Sequence, residues 1–184
     1  VGLSTAYALL ERGVSVRVYE QGVPGNGQSG GVSRIFRHAH YDPRMIAAAQ
    51  ASWQAYAEWS EQLGVTMISD DGAVAIGPAV ESQLPLLQDA GVDAHAIDRA
   101  ELGRRVPLLA GYDGPAMVDV RGGSINTRAT IDALTTALGS RLVADEVLSV
   151  RPVPAGVEVR SGGRTDVYRR VIVCGGRGTA GQPL

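Results

Sequence analysis

The chain has 184 residues, 45% apolar and 20% charged. That excludes wholesale disorder and leaves enough chain to bury a sizeable core, as one domain or two interleaved ones. The 17 Lys and Arg against 19 Asp and Glu give a net charge of −2, without the basic excess of a nucleic-acid or membrane-surface binder.

The single cysteine excludes an internal disulfide and fits a reducing, cytoplasmic setting. No apolar run reaches the ~20 residues a spanning helix needs. The 24 glycines ask for many tight turns and close backbone approaches. The chain opens without an initiator Met, directly on a helical pattern, and ends straight after a strand-like run, so it reads as a fragment.

Residues 2–12 read as a helix, with Leu3, Ala6, Tyr7 and Leu10 on one face and Gly13 as the stop. Residues 14–20 alternate Val14, Val16 and Val18 with polar neighbours, a strand pattern ending at Glu20. Five glycines and a proline make 22–31 a loop, and 33–41 is polar and basic, an extended piece or loop. Asp42 and Pro43 form a helix start. Met45, Ile46, Ala49, Trp53, Tyr56 and Leu63 supply its apolar stripe, and Gly64 ends it.

The middle changes character. Residues 65–69 and 73–76 flank Asp70-Asp71-Gly72, a hairpin signal. Residues 80–90 suit a short helix despite Pro85, 94–97 and 116–120 suit strands, and Asp98 caps a helix through Arg105 before Pro107. A further helix over 127–138 carries Ile131, Leu134 and Leu138. Strands follow at 141–144 and 147–150, then 156–160 and 165–169 around a Ser161-to-Arg164 turn. The apolar run 171–174 before Gly175-Gly176 fits a buried parallel strand. The fold expected is α/β: a Rossmann-like nucleotide domain, its first strand missing, interrupted by a β-rich substrate domain. Its segments are residues 1–62, 63–121 and 122–184, the last including a β-meander.

A helix at 2–12 followed by a strand ending at Glu20 is the back half of a βαβ unit. A dinucleotide fold places an acidic residue roughly twenty positions past its glycines, where it accepts from the ribose hydroxyls. Gly2 stands where the last glycine of G-x-G-x-x-G allows helix and sheet to approach. An ordinary αβ unit with an acidic strand end would show the same half pattern.

Gly27-Gln28-Ser29-Gly30-Gly31-Val32-Ser33-Arg34-Ile35-Phe36-Arg37-His38 resembles the [ST]-R-[IV]-x-R segment of the FAD-dependent amine oxidases of the sarcosine oxidase and N-methyltryptophan oxidase type. These belong to the wider D-amino-acid oxidase superfamily. Glu101-Leu102-Gly103-Arg104-Arg105-Val106-Pro107-Leu108-Leu109 is similar to that superfamily's E-L-x-x-R-x-P-x-L stretch. Ile172-Val173-Cys174-Gly175-Gly176 resembles its late strand, although Arg177-Gly178 stands where Ala-Trp is typical.

The resemblance implies FAD as cofactor, with Gly2, Glu20, Gln21, Ser33, Arg34, Val147, Gly175 and Gly176 binding it. Glu20 would take the adenosine ribose, and the backbone of Val147 the adenine. Ser33 and Arg34 would lie against the isoalloxazine, where the Arg34 cation stabilises negative charge on the reduced ring. Arg37 would hold the substrate carboxylate through its planar five-donor fork. Arg34 and Arg37 would face opposite sides in a strand, so this reading expects a non-strand conformation there. Without the resemblance, both arginines read as a solvated basic surface.

The implied reaction is oxidation of a primary or secondary amine or (N-methyl) amino acid to an imine. Oxygen would be the acceptor, giving hydrogen peroxide, with no nucleic acid or membrane partner. A flavin dehydrogenase with another acceptor, a non-functional remnant and a plain NAD(P) enzyme are the competing readings. His38 and His40 have a spacing two metal ligands can share, but no third ligand is suggested nearby.

Overall fold

A computed structural model of the chain describes residues 1–176. The Arg177-Gly178 departure lies outside the described residues. The elements run α1 (Gly2–Glu11), β1 (Val18–Glu20), β2 (Ser33–Phe36), α2 (Pro43–Leu63), β3 (Ala73–Ile76), α3 (Ala79–Asp89), β4 (Ala94–Ala96) and α4 (Arg99–Arg105). Then come β5 (Ala116–Asp119), β6 (Gly123–Asn126), α5 (Thr127–Leu138), β7 (Leu142–Ala144), β8 (Val147–Val153), β9 (Gly156–Ser161) and β10 (Thr165–Tyr168). The chain forms two compact units. The first is Val1–Gly31 with the chain from Ile131, and the second is the intervening Val32–Thr130.

In the first unit β1 pairs in parallel with β7, Val18 opposite Leu142 and Glu20 opposite Ala144. The strand expected over 14–20 is shortened to its last three residues, because the ladder with β7 begins only at Val18. A β-meander follows, in the order β10-β9-β8, all antiparallel. Tyr19 ties β1 to this meander. Its hydroxyl donates to Asp166 Oδ2 at 2.8 Å and lies 2.7 Å from the Tyr168 hydroxyl, and the two rings meet edge-on. Burial, then those two hydrogen bonds, push the Tyr19 phenol well above its ordinary value.

The Asn126 side chain accepts from the Ala129 N–H and caps α5. Leu134 and Leu138 on that helix are buried, as their spacing predicts. Gly25 has φ +80°, and a Cβ there would sit 2.2 Å from Ile131 Cδ1. Gly25→Ala is therefore expected to cost about 1–2 kcal/mol or more, seen as a lower denaturant midpoint. An unchanged midpoint would mean that this contact does not hold the loop.

The expected late strand is not formed. Residues 171–176 carry no ladder among the described residues, and Ile172 and Val173 are 62% and 46% exposed. An apolar run becomes a strand only beside a hydrogen-bonding neighbour, and no described strand lies alongside it.

The second unit is built on a sheet of order β3-β5-β4, antiparallel throughout. Its core joins Ile46 of α2, Val80 and Leu87 of α3, Val92, Ala94 and Met117. Burying each large aliphatic side chain contributes roughly 1.5–3 kcal/mol. This packing explains why residues 32–62, expected with the nucleotide segment, cluster with the middle of the chain. Asp42 caps α2 by accepting from the Arg44 N–H, and Asp98 caps α4 by accepting from Glu101. Met45, expected in the α2 stripe, is half exposed at 50%. Trp53 packs under Arg121, whose guanidinium carbon lies 4.6 Å from the ring centre.

The hairpin expected around Asp70-Asp71-Gly72 does not form. Ala73–Ile76 pairs with β5, while Ile68 bridges Ile125. The Ser69 and Ser124 backbones are joined at 2.9 Å, which places residues 67–69 along β6. Gly123 makes this approach possible, since a Cβ there would lie 2.5 Å from the Ser69 carbonyl oxygen. β6 pairs on its other side with β2.

Candidate functional site

Glu20 stands at the carboxyl end of β1, where open parallel sheets present ligand-binding groups. Its Oε1 accepts from the Gly22 N–H at 2.9 Å, which orients the carboxylate at the mouth of the glycine-rich loop. Gln21 follows, exposed. The Asp145 N–H donates to the Glu20 carbonyl at 3.2 Å, so the turn leading into Val147 lies beside Glu20. Val147 opens β8, the edge strand of the meander, immediately before a register shift. An edge strand keeps backbone donors and acceptors outside the ladder.

Asp145 holds this turn through its carboxylate. It accepts from the N–H groups of Glu146, Gly162 and Gly163 at 2.9–3.2 Å. The Ser161 hydroxyl, then the Gly163 N–H, pull its carboxyl below the ordinary carboxylate value. Tyr19, then Arg164, do the same for Asp166. Depressed carboxylate values contribute stability that is present above the unfolded value and lost as pH falls through the folded one. The first unit should therefore lose stability on acidification below about pH 4, and the Asp145→Asn, Asp166→Asn double variant should lose less. Parallel acid melts of wild type and variant would argue against this assignment.

Gly2 begins α1, whose first turn carries no acidic residue and no capping side chain. A Cβ on Gly2 would lie 3.3 Å from Cys174 Cβ, so glycine lets residue 174 approach the start of the helix. Gly175 and Gly176 follow, both exposed. Gly176 has φ +57°, and a Cβ there would fall 3.2 Å from Gln28 Oε1 in the glycine-rich loop. The structure thus brings Gly2 to Cys174, and Gly176 to the loop that leaves Glu20. A helix start opened by glycine suits a pyrophosphate, and a strand-end carboxylate suits a ribose. The residues present fit the adenine dinucleotide part of a flavin cofactor.

The remaining candidates lie in the second unit. Ser33 and Arg34 belong to β2, opposite Asn126 and Ile125 of β6. The expected non-strand conformation is therefore overturned at Arg34: β6, distant in sequence, recruits residues 33–36 into a ladder. Arg37 lies one residue past β2, so strand alternation does not fix its side relative to Arg34. An Arg34 guanidinium N–H donates to the Ser33 carbonyl at 2.8 Å, and one of Arg37 donates to the Ala39 carbonyl.

Next to Arg37 stands a pair that sequence reasoning missed. His38 and Asp119 are both 2% exposed. The His38 N–H donates to Asp119 Oδ2 at 2.6 Å, and His38 Nδ1 lies 3.0 Å from both carboxylate oxygens. Facing a carboxylate, Nδ1 carries the hydrogen. The H-x-H spacing thus has another use for its first member, and among the described residues no group of three His, Cys, Asp or Glu could hold a metal ion. The available signal was an Asp closing the apolar strand 116–119, which named no partner. Among the described residues no helix is long and apolar enough to cross a membrane.

Solved structures share this fold. Glycine oxidase from Geobacillus kaustophilus superposes with a TM-score of 0.76 at 18% identity, covering 92% of this chain and 50% of that one. NikD, an unusual amino acid oxidase essential for nikkomycin biosynthesis, superposes at 0.70 and 20% identity over 89% and 45%. Iminodiacetate oxidase from Chelativorans sp. BNC1 does so at 0.68 and 21% over 90% and 50%. The chain spans about half the length of these structures. No curated protein matches it significantly in sequence. The family profile described as DAO, FAD dependent oxidoreductase, matches residues 1–184, all of the chain. With an α/β fold and a family profile that matches its whole length, the chain belongs to the DAO family of FAD-dependent oxidoreductases.

Proposed function

We propose that the protein oxidises a carboxylated amine, a primary or N-methyl amino acid, to the imine, as enzymes of the sarcosine oxidase and N-methyltryptophan oxidase type do. The observation that carries this reading is the Ser33-Arg34-x-x-Arg37 segment, set on a short strand and its exit. Glycine, amino acids and iminodiacetate, in the names of the structural relatives, all pair an amine with a carboxylate.

Glu20 accepts from the ribose hydroxyls, with Gln21 beside it. The first turn of α1, opened by Gly2, takes the pyrophosphate. Val147 offers backbone groups to the adenine, and Gly175 and Gly176 let the chain pass close to the cofactor. FAD supplies the two-electron acceptor for the step. Ser33 and Arg34 would lie against the isoalloxazine when FAD is bound, where the Arg34 cation would favour its acceptance of electrons.

Arg37 binds the carboxylate in a fork and so fixes the α-carbon; positioning is its contribution to rate. The amine gives up two electrons and two protons as its C–N bond becomes C=N, and water then releases the carbonyl product. Dioxygen taking those two electrons and two protons yields hydrogen peroxide, which balances the cycle.

The test is peroxide release from the flavin-loaded protein supplied with N-methyl amino acids. Peroxide in step with substrate loss supports the oxidase reading. Substrate loss only with an added quinone or dye moves it to a dehydrogenase, and no loss with either acceptor removes amine oxidation.

A further inference from the structure

The buried His38–Asp119 pair is used by no step above, and its cost asks for a reason. A carboxylate at 2% exposure forfeits its hydration, and a hydrophobic pair of similar volume would be no worse for stability. What the pair does is specific. Both carboxylate oxygens of Asp119 are engaged by hydrogen. Oδ2 takes the His38 N–H at 2.6 Å, Oδ1 takes the Gly122 N–H at 3.0 Å, and His38 Nδ1 reaches both at 3.0 Å. Asp119 itself ends β5, the central strand of the second unit's sheet. Gly122 is needed for this, since a Cβ there would lie 2.5 Å from Ala73 Cβ and 3.1 Å from Asp119 Oδ2.

The consequence falls on Arg37. On one side of it Phe36 is held in the β2–β6 ladder opposite Gly123. On the other side His38 is held through its backbone N–H and its ring, and that ring meets Phe36 edge-on at 5.2 Å. The next residue, Ala39, is 3% exposed and offers the carbonyl to which Arg37 donates. Arg37 is therefore an exposed residue carried between two anchored neighbours. A fork that must meet a carboxylate within a fraction of an ångström needs such a base.

We propose that His38 and Asp119 are positioning residues that hold the Arg37 guanidinium for the substrate carboxylate. This rests on the role proposed for Arg37 above. On this reading the pair acts through the backbone on either side of residue 37.

The experiment measures kcat and KM of the flavin-loaded enzyme for N-methyl-L-alanine and for N-methylethylamine, the same amine without its carboxylate. His38→Gln moves the side-chain amide away from the Nδ1 position, whereas His38→Asn keeps a donor there. His38→Gln is expected to raise KM for N-methyl-L-alanine roughly tenfold and leave the constants for N-methylethylamine unchanged. His38→Asn is expected to restore most of that loss. Equal losses on both amines, or the same loss in His38→Asn, would overturn the proposal by showing a merely structural pair.

Arg37→Ala separates the two levels. If it abolishes the preference for the carboxylated amine and His38→Gln does not weaken it, the positioning role alone falls. If Arg37→Ala leaves the preference intact, the carboxylate role of Arg37 falls, and the positioning role with it. Should His38→Gln fold poorly, Asp119→Asn gives the same reading. Its amide keeps one acceptor for the two backbone N–H groups, so it should weaken the preference in the same direction.

Discussion

Arg37→Ala is expected to lower kcat/KM for a carboxylated amine by about 100- to 10,000-fold while the flavin stays bound. Two charge-assisted hydrogen bonds from one planar fork are lost together, and each is worth roughly 1.5–3 kcal/mol. A carboxylate-free amine has no such bonds to lose, so its kcat/KM should hardly change. Arg37→Lys should recover only part of the loss, because an ammonium meets the carboxylate as a point charge. Steady-state kinetics on the paired substrates reads all three outcomes. An equal loss on both amines would assign Arg37 to the structure of the β2 exit rather than to the substrate.

The second large effect concerns the cofactor. Glu20→Ala is expected to weaken FAD binding by roughly 10- to 100-fold, corresponding to the loss of one hydrogen bond to a carboxylate acceptor. The carboxylate is already oriented by the Gly22 N–H on Oε1. Its removal therefore takes away a pre-set acceptor rather than a flexible one. Glu20→Gln should fall between, since its amide offers one acceptor oxygen where the carboxylate offers two. Flavin left on the protein after extended dialysis reports the order directly. Equal retention in all three proteins would place the ribose elsewhere.

Local signals made much of this fold legible. Asp42 before Pro43, Asp98 before α4 and the stripe Ile131, Leu134, Leu138 are decided within a few residues, and the helices start and pack there. What failed was long-range. Residues 65–69 and 73–76 carry a hairpin signal, yet each finds a better partner, β6 for the first and β5 for the second. Residues 33–36 read as an extended piece or loop, and only β6 makes them a strand. The apolar run 171–174 shows the converse, since the described residues give it no neighbouring strand. Periodicity states which side of a strand is apolar, but not which strand lies beside it.

The candidate site divides along the same line. The place of Glu20 at the end of a parallel strand follows from the residues around it. Arg34 and Arg37 are unremarkable as residues, and only a resemblance between whole segments gave them a role. The His38–Asp119 pair escaped both routes. A histidine after a basic segment and an aspartate closing an apolar run look unrelated until the sheet brings them to 3.0 Å.

The most direct measurement is anaerobic mixing of the flavin-loaded protein with N-methyl-L-alanine, following the visible absorbance of the flavin. Without oxygen, bleaching reports the oxidation of the amine alone, whatever the acceptor. The account predicts full bleaching by N-methyl-L-alanine and far slower bleaching by N-methylethylamine. A flavin that keeps its colour with the amino acid, or that bleaches equally with both amines, would contradict it.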